Sequence, residues 1–202
     1  MSTFDILCVT NRHICKGDFL SRIEQIAKLP LKGIILREKD LDELEYYKLA
    51  KQVLDICKKH NAKCILHTYT DVARKLSADA IHLPLSLLKS LNPSELYAFK
   101  EVGASCHSTD DALTAHRLGA SYITAGHIFT TDCKKGVPPR GIAFLNDISA
   151  QSPLPVYAIG GINADNIAES ANAGAKGAAV MSGFMCCPDP ESYFNKLKMN
   201  IL

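Results

Sequence analysis

Eight short apolar runs, each separated from the next by a longer segment with one polar face, constrain this chain more than any other feature. They occupy residues 4–9, 33–36, 64–66, 80–83, 104–106, 122–125, 156–159 and 178–181. Each is too short for a helix, and most lack the alternation of a half-exposed strand, so they read as strands covered on both faces. Between them the apolar spacing lengthens to that of a helix. Within 42–60, Leu49, Val53 and Ile56 are separated by four and three residues, and Lys48, Lys51, Lys58 and Lys59 are left for solvent. Ser108 stands three residues before Asp111, the spacing of a capped start; Ala112, Leu113, Ala115 and Leu118 follow, and Gly119 ends that helix. Asn163 and Gly174 are expected to bracket a later one.

Regular alternation of strand and helix predicts an α/β fold. Closing eight such units into a ring gives a (β/α)8 TIM barrel, the simplest solution, although an open doubly wound sheet satisfies the same pattern. At 202 residues and 47% hydrophobic the chain supports one substantial core, and no linker or low-complexity run interrupts it. One barrel domain over 1–202 is therefore expected. The formal charge is only +2, with both signs interspersed, which leaves no electrostatic footprint for nucleic acid or an anionic membrane. Any anion must be bound locally.

The eight cysteines form no CxxC pair, and several lie in apolar runs, so buried reduced thiols are expected rather than disulfides. Neither they nor the scattered histidines have ligand spacing, and no metal site or cofactor is expected. The N-terminus has no basic leader, and no apolar stretch reaches the roughly 18 residues of a membrane span. A cytoplasmic enzyme or binding protein for a small molecule follows.

In such a barrel the reactive groups gather at the strand C-termini. Here those ends carry Arg37-Glu38-Lys39, His67-Thr68, Cys106-His107 and Gly126-His127. The last two strands end instead in Gly160-Gly161 and Ser182-Gly183, where glycines let backbone N–H groups approach an oxyanion, the phosphate site expected after strands 7 and 8. The same glycines would also serve plain tight turns. The loop at 130–141 is polar, basic and punctuated by glycine and proline, the composition of a binding loop or of a solvated connection. His127, where strand 6 opens into that loop, suits general acid/base work, against the more common structural role of a lone histidine. His82, flanked by Ile81 and Leu83, reads as a hydrogen-bonded core residue. His67 and His107 are pocket candidates, and His13, His60 and His116 read as surface.

The segments LREK at 36–39, AIHLP at 80–84, GASCHS at 103–108, GHIFTTDCKKG at 126–136, YAIGGI at 157–162 and AAVMSG at 178–183 resemble, in order, the thiamin phosphate synthase superfamily. Synthases of that superfamily join a thiazole phosphate to a pyrimidine pyrophosphate with Mg²⁺ held by aspartates. The matching positions depart from that pattern: the Asn-Asp pair falls on His67 and Thr68, the strand 4 aspartate near Leu87, and a glutamine on Ile35. GHIFTTDCKKG, with histidine where synthases usually have proline, resembles instead the TenI branch of thiazole tautomerases.

That resemblance implies aromatisation of a 2-carboxythiazole phosphate tautomer, with His127 moving the proton. It places the phosphate on Gly160, Gly161, Ser182 and Gly183, and makes Thr131, Lys134, Ser105 and His107 candidate ligand contacts. Arg37 and Lys39 would meet the substrate carboxylate or remain as a salt-bridged rim. Cys133 is a pocket residue at most, and Asp132 a candidate for orienting His127. The partner implied is a small-molecule thiazole phosphate, with a homodimer through the outer helices as the oligomer considered. Two other functions stay open: a synthase with relocated metal ligands, and a catalytically silent thiazole phosphate sensor.

Overall fold

The apolar runs become eight parallel strands because each buries both of its faces. In the computed structural model, which describes residues 4–134 and 136–201, they are β1 (Asp5–Val9), β2 (Gly33–Leu36), β3 (Cys64–His67), β4 (Ala80–Pro84), β5 (Glu101–Cys106), β6 (Tyr122–Gly126), β7 (Val156–Ile159) and β8 (Gly177–Val180). Each pairs with the next, and β8 pairs with β1 through Asp5–Gly177 to Cys8–Val180, closing the barrel. The open-sheet alternative is thereby removed.

Alternation along each strand divides the core in two. Leu7, Val9, Ile35, Ile65, Tyr122, Tyr157 and Ala179 fill the barrel interior. Ile6, Cys8, Ile34, Leu36, Ile81, Leu83 and Val180 face outward into the layer between strands and helices. Both faces being apolar, the runs carry no period of two in sequence.

The helices are α1 (Phe19–Ala27), α2 (Glu43–Lys59), α3 (Thr70–Lys75), α4 (Leu85–Ser90), α5 (Pro93–Leu96), α6 (Thr109–Arg117), α7 (Gly141–Gln151), α8 (Ile167–Asn172), α9 (Ser182–Cys186) and α10 (Pro190–Met199). α2 starts at a capping box, Asp42 with Glu45, and ends on Lys58 and Lys59. Its buried stripe is Tyr46, Ala50, Val53 and Cys57, with Leu49 and Ile56 only half-buried, a rotation from the expected Leu49, Val53, Ile56 face. Tyr46 explains the rotation. Its hydroxyl donates to the Leu36 carbonyl at 2.7 Å and accepts from the His67 N–H at 2.9 Å, so α2 is turned to put this ring over the ends of β2 and β3.

Ser108 caps α6 by accepting from the Asp111 N–H at 3.0 Å, and Gly119 closes it at φ +86°. α8 begins later than expected. Asn163 forms a turn with Asn166, which is the residue before the first helical one, and Gly174 follows the end at φ +80°. β5 is also longer than its apolar run, beginning at Glu101 with Gly103 in mid-strand. Of the described thiols, Cys8, Cys57, Cys64 and Cys106 are buried, and none is in a disulfide. Among the described residues no helix is long and apolar enough to cross a membrane.

Candidate functional site

At the C-terminal mouth of the barrel lies a cavity of about 280 Å³. Strand parity decides what faces it. Two-residue steps along β5 bring Ser105 and then His107 to the lining, and the same steps along β6 bring Thr124 and Gly126. Arg37 and Lys39 reach it from the end of β2, His67 from β3 and His127 from just past β6. Gly160, Gly161 and Ser182 arrive after β7 and β8, and Thr131 and Lys134 from the loop that follows β6. Val9, Ile159, Ile162, Ala179 and Met181 supply an apolar wall. Every sequence candidate is thus brought together except Gly183. A side chain there would collide with the Tyr193 ring, so its place is explained by the packing of α9 against α10.

His127 is 5% exposed. Its Nε2 lies 3.2 Å from the Val137 carbonyl, and its own carbonyl accepts from the Arg140 N–H at 2.9 Å, so both contacts come from the loop that covers it. A neutral ring donating from Nε2 to a carbonyl keeps its lone pair on Nδ1. Val137, not Asp132, is the group that fixes this ring; Asp132 is exposed and does not line the cavity. The Cys133 side chain lies outside the described residues.

The two glycines after β7 have φ of +100° and +69°, and a side chain on either would strike the neighbouring segment. At Gly160 the collision is with His127 Cβ, at Gly161 with the Thr130 carbonyl. These glycines therefore let the His127 segment pack directly on the turn, in addition to exposing backbone to the cavity.

The other ring nitrogens are ordered too. His107 donates from Nδ1 to the Gly126 carbonyl at 2.8 Å. His67 has Thr68 Oγ1 2.6 Å from Nδ1 and stacks on His82 with centroids 5.7 Å apart. Burial first, then His82, Arg37 and Lys39, hold His67 down to about 2, so it is neutral near pH 7. Thr68 sits at φ +72°, an unfavourable conformation for a β-branched residue, and donates its N–H to the His82 carbonyl at 3.1 Å. His82 is buried as expected from its flanking residues, and contacts Tyr122 and Ser105.

The strand 2 end sorts its charges. Glu38 is 2% exposed and accepts from Thr10 Oγ1 at 2.6 Å, with Arg12 3.3 Å away. Arg12 also grips Asp40, holding that carboxyl well below the usual carboxylate range, with His13 assisting. Both acids are thereby engaged by residues that follow β1. Lys39 has its ammonium pKa lowered by burial, then by Arg37 and Lys134, three cations being gathered at one opening. The cavity lining among the described residues includes no Asp or Glu.

The Mg²⁺ that the resemblance attaches to synthases would need carboxylate donors at these strand ends. The positions expected to carry the synthases' Asn-Asp pair hold His67 and Thr68, and the strand 4 aspartate falls near Leu87. An adjoining pocket of about 210 Å³ includes Glu38, which Thr10 and Arg12 already occupy. No group of three His, Cys, Asp or Glu among the described residues is placed to hold a metal. The residues present do not fit the ion.

Thr124 and Pro84 were not singled out from the sequence. Counting back by two from Gly126 would have found Thr124, and the AIHLP segment already contained Pro84.

Comparison with known proteins agrees with this architecture. A family model described as "Thiamine monophosphate synthase" matches residues 6–184. A chain of Aquifex aeolicus named "Putative thiamine-phosphate synthase 2" is 36% identical over 185 residues, covering 89% of this chain and 97% of that one. "Thiamine-phosphate synthase" of Fusobacterium nucleatum is 34% identical over 182 residues, covering 89% and 88%. Among solved structures, the "Thiamine phosphate pyrophosphorylase from Pyrococcus furiosus" superposes with a TM-score of 0.83 at 26% identity, covering 98% of this chain and 95% of that one. A match over most of the chain, with the strand-end segments in their expected places, is what membership requires, and the chain belongs to the thiamine monophosphate synthase family.

Proposed function

We propose that this chain is a thiazole tautomerase that converts a non-aromatic 2-carboxythiazole phosphate tautomer to its aromatic form. The observation that supports the reading best is the composition of the cavity: a sheltered imidazole, His127, beside the Gly160-Gly161 turn, with Arg37, Lys39 and Lys134 around the opening and no carboxylate in the described lining. In this reading the phosphate takes backbone N–H groups of the turn at 160–161 and of Ser182 at the start of α9, with Lys134 and Thr131 closing over it. Arg37 and Lys39 meet the ring carboxylate.

The chemistry asks little beyond placement. One carbon-bound proton leaves the ring, and one is gained at the other end of the conjugated system, so the composition of the substrate is unchanged. Aromaticity drives the reaction, and His127, with Nε2 committed to Val137, offers Nδ1 as the proton carrier. Such a base contributes roughly 10² to 10⁴ in rate, and holding the ring against it adds more. Departure of a diphosphate, by contrast, needs concentrated charge stabilisation, which these residues do not arrange around a metal.

The second reading is a thiamine-phosphate synthase, a transferase, and the names of the relatives favour it. Two parallel incubations separate the two. Freshly made thiazole tautomer should give the absorbance of the aromatic product at a rate proportional to protein. Thiazole phosphate with pyrimidine pyrophosphate and Mg²⁺ should release no pyrophosphate. Pyrophosphate release without tautomer turnover would assign the transferase instead.

A further inference from the structure

Beneath the cavity floor runs a row of polar contacts with no part in the reaction as described. His82 of β4, Gly103 of β5 and Tyr122 of β6 are register partners across three adjacent strands. A side chain on Gly103 would collide with both the Tyr122 ring and His82 Nδ1, so the missing side chain is what lets the two rings meet over the middle strand. They do meet, with Tyr122 Oη 3.1 Å from His82 Nδ1. The other nitrogen, His82 Nε2, lies 3.0 Å from Oγ of Ser105, which is two residues nearer the mouth on β5 and lines the cavity. Thr124 Oγ1 is a longer contact at 3.4 Å.

Counting protons gives the direction of each bond. Tyr122 is 3% exposed, and a phenol that accepted from Nδ1–H would spend its one described polar contact and leave its own buried proton without an acceptor. The phenol therefore donates to Nδ1. His82 is neutral near pH 7, because burial pulls it down to about 3 with Arg37 adding to the effect, so its single proton is on Nε2 and is given to Ser105 Oγ. A serine oxygen that already accepts from below has its own proton free for the ligand side.

We infer that Tyr122 and His82 are positioning residues that make Ser105 a hydrogen-bond donor directed into the cavity, selecting a ligand with a hydrogen-bond acceptor against the floor. On the proposed tautomerase reading, that acceptor belongs to the carboxylated heterocycle; the donor chain itself does not depend on that reading.

Two measurements test it. In protein labelled with ¹⁵N-histidine, with His82 assigned by its loss in His82→Gln, the ring should show its proton on Nε2 and no titration between about pH 5 and 8. A proton on Nδ1 would overturn the inference whatever the ligand is. The second is calorimetric titration with the aromatic carboxythiazole phosphate. Ser105→Ala should weaken binding about tenfold and Tyr122→Phe about threefold. The double variant should bind no more weakly than Ser105→Ala, since Tyr122 acts through Ser105. Additive losses would mean that Tyr122 matters only for packing and would also overturn it. If the wild type binds no thiazole phosphate while His82 shows the expected tautomer, the tautomerase reading fails and the donor chain stands.

Discussion

Mild acid should destabilise this protein through two histidines, and the size of the effect follows from their burial. In the unfolded chain a histidine titrates near 6.5. In the folded protein His67 is held to about 2 and His82 to about 3, chiefly by burial. Between those values the unfolded state binds a proton that the native state refuses, so stability falls as the pH drops through about 6.5. At about pH 5 each histidine has lost about 1.5 pH units of linkage at about 1.4 kcal/mol per unit, or about 2 kcal/mol each and 4 together. For a chain of 202 residues that is a fall in Tm of roughly 8–16 °C between about pH 7.5 and 5. The carboxylates held low by cations, Glu24 by Lys59 and Asp40 by Arg12, lose their contribution only below the ordinary carboxylate range and stay out of this window. Urea unfolding at the two pH values measures the loss. His82→Gln supplies the control, because its amide accepts from Tyr122 and donates to Ser105 without titrating, and the loss should shrink by about half. An unchanged loss in that variant would refute the reasoning.

Three further outcomes follow from single contacts. Tyr46→Phe removes the donor to the Leu36 carbonyl and strands the His67 N–H, and chemical denaturation should show about 1–3 kcal/mol of lost stability. Gly160→Ala forces a side chain at φ +100° against His127 Cβ, so tautomer turnover should drop about a hundredfold as the imidazole moves, with circular dichroism still that of an α/β protein. Burial pushes the Cys106 thiol up to about 12 and raises Cys8, and the contact with Cys57, then burial, raises Cys64, so iodoacetamide at about pH 8 should spare these three until urea is added. Labelling of Cys106 in the native protein would contradict its burial.

The order of strands, their positions and the membership of the cavity were legible because each rests on short-range signals. Apolar runs marked the strands, and charged or glycine-rich strand ends marked the polar part of the pocket wall, though not Val9, Pro84 or Thr124. What stayed hidden depends on contacts between distant residues. Gly103 lay outside the apolar run at 104–106, and its purpose, leaving room for His82 and Tyr122, is visible only once β4, β5 and β6 are side by side. The rotation of α2 was set by a hydroxyl bridging two strands rather than by the spacing of its leucines. Gly183 shared the appearance of Gly160 and Gly161 in the sequence, yet it serves packing against Tyr193 in a helix that had not been separated from the last strand. Nor does spacing indicate that Val137, ten residues on, fixes the ring of His127.

The central claim is that a single imidazole moves the proton in a cavity that needs no divalent ion. Its most direct test compares wild type and His127→Asn for aromatisation of fresh tautomer, each with and without EDTA, alongside the affinity of each for the aromatic product. The expected result is a wild-type rate indifferent to the chelator, and a variant slowed by roughly 10² to 10⁴ while its product affinity changes less than about threefold. A variant as fast as wild type, or a wild-type rate abolished by EDTA, would contradict the claim.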